Sequence, residues 1–514
     1  MKIGFNKIVK NKKNIDRLIF GVLLVLGALL RFGKMFWQRD FWYDEAFTGI
    51  IARMSWSEMW WMIFHDVHPP LYYYLVKPWA GLFNYSSFGF RSFSAVLGIL
   101  SIVSIYWIGR KMFSARVGLL SAFFLAVSPF AVQYSQEARM YSLFGLVSLW
   151  LVYFFLKALK TDEWKYWLGW GVLGVIFFYI HYLALFTFVV FYFVALGYKL
   201  IFEKERAREN FFFFSFKKIL IGKKFIIAVG FIVFAFVLWL PAFKQHLSRE
   251  GLGWVPVAYL SDLPETLQFF FYGHQPGKIL EPIPNEFRNL SFSLSNEKSG
   301  NLFDGSSIGL LILLVIAVGL IILWQRKKYR REVFVISTLS FGTLLFLILL
   351  SQVGWRFYVA RYFMATAVII YLLLSVVVSQ WRMKGRIFVV VFYVLSLAWL
   401  KPIPYDSSWS FVRDDAELVN PQTVVIADNA FEYATARFYF GEGRVKLYNR
   451  GEPEQDFSLW IIVKKEDQIK NLDNFISKSN VIYVGAGDCH WNQYQLQPLK
   501  KVGRLQVCKN KFDF

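Results

Sequence analysis

A chain of 514 residues that is 56% hydrophobic, 20% aromatic and only 18% charged, with a mean hydropathy of +0.42, is not an ordinary soluble protein. Its net charge of +22 would point to nucleic acid in a soluble chain. Here the basic residues fall in short loops between long apolar runs, which the positive-inside bias explains and which leaves no role for nucleic acid. Two cysteines, Cys489 and Cys508, are too few for a disulfide framework or a cysteine metal cluster. They can form one bridge if their domain lies outside the cytoplasm, or remain as two thiols.

Taken in order, the apolar runs predict about eleven transmembrane helices, at 18–36, 89–109, 116–133, 140–159, 165–181, 183–202, 225–242, 306–324, 333–352, 362–380 and 387–401. The basic start "MKIGFNKIVKNKKNIDR" leads into the first span with no small-residue cleavage site. With a cytoplasmic N-terminus the inner segments are 1–17, 109–116, 157–165, 203–224, 325–331 and 381–386, all rich in Lys and Arg. This predicts a multi-pass cell-membrane protein whose outer face carries residues 37–88, 243–305 and everything after about 402. The run "FFFFSF" at 211–216 reads as an interfacial anchor.

The first outer segment contains "FWYDEAFTG" (41–49), with Asp44 and Glu45 ahead of the apolar stripe Phe47, Ile50, Ile51 and Met54. One reading makes Asp44 a helix cap; the other makes it a catalytic base at the membrane surface. Amphipathic stretches at 44–54 and 55–67 suit helices lying in the interface. Residues 243–305, rich in Pro, Gly and Asn, read as a mobile loop able to order on substrate binding. The tail changes character. "TVVIADNA", "SLWIIVKK" and "NVIYVGAG" are short β-rich runs with "EYATARFYF" among them, which predicts a small α/β domain. The expected division is 1–402 for the membrane domain and 403–514 for the extracytoplasmic one.

Ionisable residues collect at the outer level: Arg31 and Lys34, Asp44 and Glu45, His65, Asp66 and His68, Arg91, Glu137 and Arg139, His181 and Tyr182, Arg356 and Arg361. Acids, histidines and arginines in aromatic surroundings suit a site that handles an anion and moves a proton. Each residue also has a plainer reading. Arg31, Lys34 and Arg91 can be headgroup anchors, His181 a hydrogen-bonded helix end, and His65 with His68 a metal pair that lacks a convincing third ligand. No metal or other cofactor is therefore expected.

The motifs in order, "LLRFGKMF", "WYDEAFT", "HPPLYYY", "RSFSAVLGIL", "YSQEARMYSL", "HY" and "ARYFM", resemble bacterial membrane proteins of glycosyltransferase family 39. Those are relatives of the protein O-mannosyltransferases and, more distantly, of the aminoarabinose transferases. The resemblance is dense over 28–145, thin but collinear to about 380, and does not reach the C-terminal domain. It implies a GT-C fold, an all-α polytopic bundle with interfacial helices in its first outer loop, and a sugar donor carried on a polyprenyl phosphate. Carried over, the "DE" acids Asp44 and Glu45 become catalytic, with Asp44 the general base and Glu45 a sugar or arginine partner. Arg139, Arg361, Arg91 and His68 become candidates for the lipid phosphate, and Arg31, Glu137, Tyr141, His181 and Tyr182 for the substrate pocket. The acceptor would be a hydroxyl of a glycan, lipid or protein. The competing readings are a flippase for a polyprenyl-linked glycan, which would place ionisable groups nearer mid-membrane, and a non-catalytic scaffold.

Overall fold

The computed structural model describes residues 2–33, 35, 40–203, 222–247, 255–273, 305–327, 329–397, 413, 423–427, 429–448, 462–469, 481–485, 496–502 and 505–510. Lys34, the run at 211–216, the first half of the run at 458–465 and Cys489 lie outside them. Helices dominate: α1 (Lys2–Gly33), α2 (Tyr43–Arg53), α3 (Trp56–His65), α4 (Leu71–Gly81), α5 (Ser87–Met112), α6 (Ala115–Val127), α7 (Pro129–Ser135), α8 (Tyr141–Thr161), α9 (Trp164–Ile180) and α10 (Leu183–Tyr198) come first. Then follow α11 (Lys223–Leu247), α12 (Asp262–Tyr272), α13 (Gly305–Gln325), α14 (Arg330–Gln352), α15 (Met364–Ser379) and α16 (Met383–Leu397).

Among the described residues seven helical segments are long and apolar enough to cross a bilayer, or eight if the bent pair α6–α7 is one span. The other three expected spans fall on α1, α9 and α16. In α1 the apolar stretch is bounded by Arg17 and Arg31, while α9 has 17 residues and α16 has 15. The expected span 116–133 is broken by 63°. Ser128 ends α6 and caps α7, its Oγ accepting from Ala131 N, with Pro129 as the first residue of α7. Proline has no N–H to continue the ladder, so the helix must restart there.

The two ends of the bundle differ. Lys224 Nζ meets Asp162 Oδ2 at 2.9 Å, Lys160 pairs with Glu332, Tyr329 Oη donates to Phe113 O, and Arg116 lies in electrostatic range of Arg386. The basic segments between spans therefore share one end. An open apolar groove of about 440 Å³, lined by Trp150, Phe154, Lys165 and Leu168 among others, belongs to this end and not to the chemistry described below.

Helices α2 to α4, the α7–α8 turn and the approach to α15 share the opposite end. The capping box of α3 fixes its start: Ser55 Oγ accepts from Glu58 N, and Ser55 N donates to Glu58 Oε2. Its outer face exposes Trp56, Trp60 and Trp61, as an interfacial helix requires. The part of 243–305 that is described is not an open loop. Helix α12 is buried along Thr266–Tyr272, because its "LQFFFY" run fills space beside the break in α6–α7. There Ser128 and Tyr371 both donate to Phe270 O.

After residue 423 the chain forms a six-stranded sheet of order β3-β2-β1-β4-β6-β5. Its strands are β1 (Val424–Ala427), β2 (Val445–Tyr448), β3 (Gln468–Ile469), β4 (Val481–Gly485), β5 (Leu496–Val502) and β6 (Leu505–Asn510). β1 runs parallel to β2 and β4, and β6 antiparallel to β4 and β5. Helix α17 (Ala430–Phe440) connects β1 to β2 and starts at Asn429, whose side chain accepts from Glu432 N. Buried Cys508 on β6 is disulfide-bonded, and the sequence holds one other cysteine, Cys489.

Candidate active site

The N-terminus of α2 sorts the two adjacent acids. The helix begins at Tyr43; Trp42 is the cap residue and no side chain caps it. Asp44 is thus the second helical residue, which removes the cap reading. A carboxylate in this first turn still gains from the helix dipole. Successive residues point about 100° apart on a helix, and the acids face different surroundings.

Glu45 is fully buried. Its Oε1 accepts from Arg91 Nε at 2.8 Å and from Ala138 N at 2.8 Å, and its Oε2 from Arg91 Nη2 at 2.5 Å. Arg91 Nη2 also donates to Asp40 O. Buried Glu137 adds its field to the same arginine. Arg91, expected as a phosphate ligand, is instead committed to the protein, and Glu45 ties α2 to α5 and to the turn before α8.

Asp44 is half-buried, and no hydrogen bond to its carboxylate occurs among the described residues. Its surroundings are cationic and aromatic. Arg139, Arg361, Tyr73 and Tyr141 all lie within electrostatic range of it. Arg139 donates to Asp44 O, to Tyr73 Oη at 3.2 Å and to His68 Nε2 at 3.0 Å, while its Nε is buried without a partner. Its backbone is fixed by Ser94 Oγ donating to Arg139 O.

The bond from Arg139 assigns the histidine tautomer, since a guanidinium only donates. His68 Nε2 must accept, so Nδ1–H donates to Asp66 Oδ2 at 3.1 Å. Burial alone would push the Asp66 carboxyl up; His68 and Arg139 outweigh it and hold the group below its usual value. Asp66, His68 and Arg139 form one charge-linked row.

Arg361 lies in a 3-10 turn (Ala360–Phe363), its guanidinium 5.3 Å over the ring of Trp42. The buried Trp42 Nε1 and Tyr141 Oη have no partner. His181, in the turn between α9 and α10, lies 4.7 Å from the Tyr362 ring. Its Nδ1 accepts from Leu183 N at 3.1 Å. Burial, then the charges of neighbours that include Arg139 and Arg361, push its pKa well below the ordinary range. The neutral ring therefore carries its proton on Nε2, which is also buried without a partner. Four unpartnered polar atoms on Arg139 and on residues that adjoin Arg139 and Arg361 are too many for a closed core; three of these residues offer N–H donors and the fourth, Tyr141, a hydroxyl.

Three expected residues lie elsewhere. Arg31 is fully buried and donates to Gly27 O, Leu125 O, Ala126 O and Ser135 Oγ. It serves the carbonyls freed where α6 breaks and neither snorkels nor lines a pocket. A Cβ on Gly98 would sit 2.7 Å from Arg31 Nε, so this glycine makes room for the guanidinium. Tyr182 Oη meets His246 Nδ1 at 2.7 Å and accepts from Trp239 Nε1, and His246 Nε2 meets Phe64 O. That network ties α11 to α3, apart from Asp44. His65 Nδ1 turns back to Trp61 O, away from His68.

Trp42, Tyr73 and Tyr362 stand in the cluster without having been singled out in the sequence. Tyr73 and Tyr362 lie inside quoted motifs, "HPPLYYY" and "ARYFM", but nothing in a run of tyrosines tells which one turns inward.

Residues 67–240 match the family model described as dolichyl-phosphate-mannose-protein mannosyltransferase. A comparison with curated proteins finds no match. Among solved structures, ArnT from Cupriavidus metallidurans bound to undecaprenyl phosphate is similar at 14% identity, over 96% of this chain and 97% of that one, with a TM-score of 0.47. The oligosaccharyltransferase AglB from Archaeoglobus fulgidus, in complex with an inhibitory peptide and a dolichol-phosphate, is similar at 13% identity over 92% and 70%, with a TM-score of 0.47. The S. cerevisiae protein O-mannosyltransferase Pmt1-Pmt2 complex bound to the sugar donor is similar at 23% identity over 49% and 36%, with a TM-score of 0.33. The family match bears out the resemblance read from the motifs, and over residues 67–240 this chain is similar to the protein O-mannosyltransferases.

Proposed function

We propose that this membrane glycosyltransferase moves a single sugar, a hexose or pentose, from a polyprenyl-phosphate donor to an acceptor hydroxyl at the extracytoplasmic face. The observation that carries the reading is the uncommitted Asp44 carboxylate, set among Arg139, Arg361 and partnerless polar atoms. An acceptor hydroxyl must lose a proton as it attacks the anomeric carbon, and Asp44 is the group placed to take it. Attack opposite the phosphate inverts the anomeric centre. The departing polyprenyl phosphate keeps the electron pair of the broken C–O bond. Arg139 and Arg361 stabilise that anion with fixed, forked donors.

A lipid donor suits the location, since its chain stays in the bilayer while its headgroup reaches the interfacial layer of α2 to α4. The orientation follows from the same reading: the basic end faces the cytoplasm, and the site end and the C-terminal domain face outward. The reading assigns no step to a metal ion, so chelator should leave turnover unchanged.

The test uses purified protein in detergent with a panel of radiolabelled polyprenyl-phosphate hexoses and pentoses, comparing wild type with Asp44→Asn. Release of polyprenyl phosphate or transfer to an acceptor by wild type, lost in the variant, is the expected result. Donor binding without release, in both proteins and across the panel, would replace the transferase by a carrier of lipid-linked sugars.

A further inference from the structure

We propose that helix α17 of the C-terminal domain positions the Asp44 helix for catalysis, so that the domain is a working part of the transferase. This inference rests on the transferase reading above. Helix α2 has 11 residues, too few to hold its own conformation in water, and it carries the carboxylate whose placement matters most. Three structures grip it. Arg91 holds Glu45. Lys77 Nζ on α4 donates to Ala52 O at 2.9 Å. The third grip is α17, and it runs the length of the segment.

At its start, Phe41 N–H donates to Tyr439 Oη at 2.8 Å, and the Phe41 ring stacks on Phe438 at 4.5 Å. Next to Asp44, the Tyr43 ring meets Phe431 at 4.6 Å. In the middle, a Cβ on Gly49 would lie 2.4 Å from the Phe438 ring; only glycine allows so close an approach. At the end, Arg53 Nη1 donates to Phe438 O at 2.9 Å and its guanidinium covers the Phe438 ring at 4.1 Å.

Phe438 is the knob of this joint, and both it and Phe41 are buried. A module that only recruited acceptor would need no buried joint with the catalytic helix. Phe438 itself meets Phe41, Gly49 and Arg53 of the α2 segment and Phe90 of α5. Phe438 is therefore a positioning residue that acts through α2. Displacing a catalytic group by about 1 Å can lower a rate on the order of 10²-fold.

The experiment uses full-length protein, the donor that wild type turns over, and two readouts: release of polyprenyl phosphate to water without acceptor, and transfer to acceptor. Phe438→Ala should lower kcat in both by about tenfold or more while donor KM stays within about threefold. Phe438→Leu, which refills most of the volume, should recover most of the loss. Exposed Arg53→Met removes the bond to Phe438 O without emptying the joint. It covers the case in which Phe438→Ala does not fold, and should lower both rates by about threefold. Wild-type rates in Phe438→Ala or Arg53→Met, or a loss confined to acceptor KM, would overturn the positioning role and leave the transferase reading standing. No release by wild type from any donor would remove the transferase reading, and the positioning role with it.

Discussion

Two ionic regions flank the first turn of α2, and they differ in completeness. Behind the helix, Glu45, Arg91, Asp40 O and Ala138 N form a knot in which both carboxylate oxygens have donors. In front of it, Asp44 lies in electrostatic range of Arg139, Arg361 and Tyr141, Trp42 and His181 adjoin those arginines, and polar atoms of several of these residues lack partners. Buried charge is costly unless paired and hydrogen-bonded. A completed knot can therefore persist as scaffold, whereas an incomplete cluster persists only where a ligand supplies what is missing. Two adjacent acids that look alike in sequence become one structural group and one candidate base.

The comparison is broken most directly by removing one member of the knot. Glu45→Ala leaves Arg91 charged and buried, which costs about 3–5 kcal/mol. Thermal unfolding in detergent should show a large drop in Tm and in folded yield, and Arg91→Ala should do the same. A Glu45→Ala protein of wild-type stability that had lost only turnover would move Glu45 from the knot to the reaction.

The front region should respond in the opposite way. Asp44→Asn keeps the shape of the side chain and removes the base. Turnover should fall by about 10²-fold or more with little change in Tm or in donor binding. If Asp44→Asn and Glu45→Ala behaved alike in both assays, the division of α2 into a scaffold side and a reactive side would be wrong.

Which parts were readable in advance follows the same division. Pattern and charge found the helices, the grouping of basic segments at one end, and the α/β character of the tail, because lipid and interface impose their composition locally. The "DE" pair was visible, and its division of labour could be argued from a 100° step. The fate of Arg31 could not. It depends on carbonyls freed at Ser128–Pro129, inside a stretch that reads as one continuous span. Tyr182 was assigned to the pocket because it follows His181; its partner His246 lies 64 residues on, in a helix that hydropathy marks only as a span. The buried α12 was missed because it is embedded in polar, Pro- and Gly-rich sequence.

Arg139 sharpens the comparison from the ligand side. Its contacts to Tyr73 and His68 orient it, and its Nε remains open. Arg139→Lys keeps the charge and loses the fork. Loss of one charge-assisted hydrogen bond corresponds to about 1.5–3 kcal/mol, so donor affinity should weaken on the order of 10- to 100-fold. Titration of the lipid donor onto the Asp44→Asn background isolates binding from turnover. Unchanged affinity there would return the phosphate to Arg361 alone.

The smallest expected effect concerns His68, and it decides whether the Asp66–His68–Arg139 row is a brace or a proton path. As a brace, His68 only accepts from Arg139 and donates to Asp66. His68→Gln, whose side chain can still accept and donate, should then leave kcat intact and raise donor KM by no more than about threefold. His68→Phe, which can do neither, should raise it by about tenfold. Acid acts on the same row with a definite sign. The folded state holds Asp66 below its usual value of 3.8, so its contribution to stability is complete above about pH 4 and is lost only as pH falls through the depressed value. Donor affinity should therefore not decline on account of Asp66 between pH 7 and about 5. A proton path would give a different record: a fall in kcat for His68→Gln comparable to that of Asp44→Asn, with donor KM unmoved. That outcome would make Asp44 one end of a relay instead of a lone base.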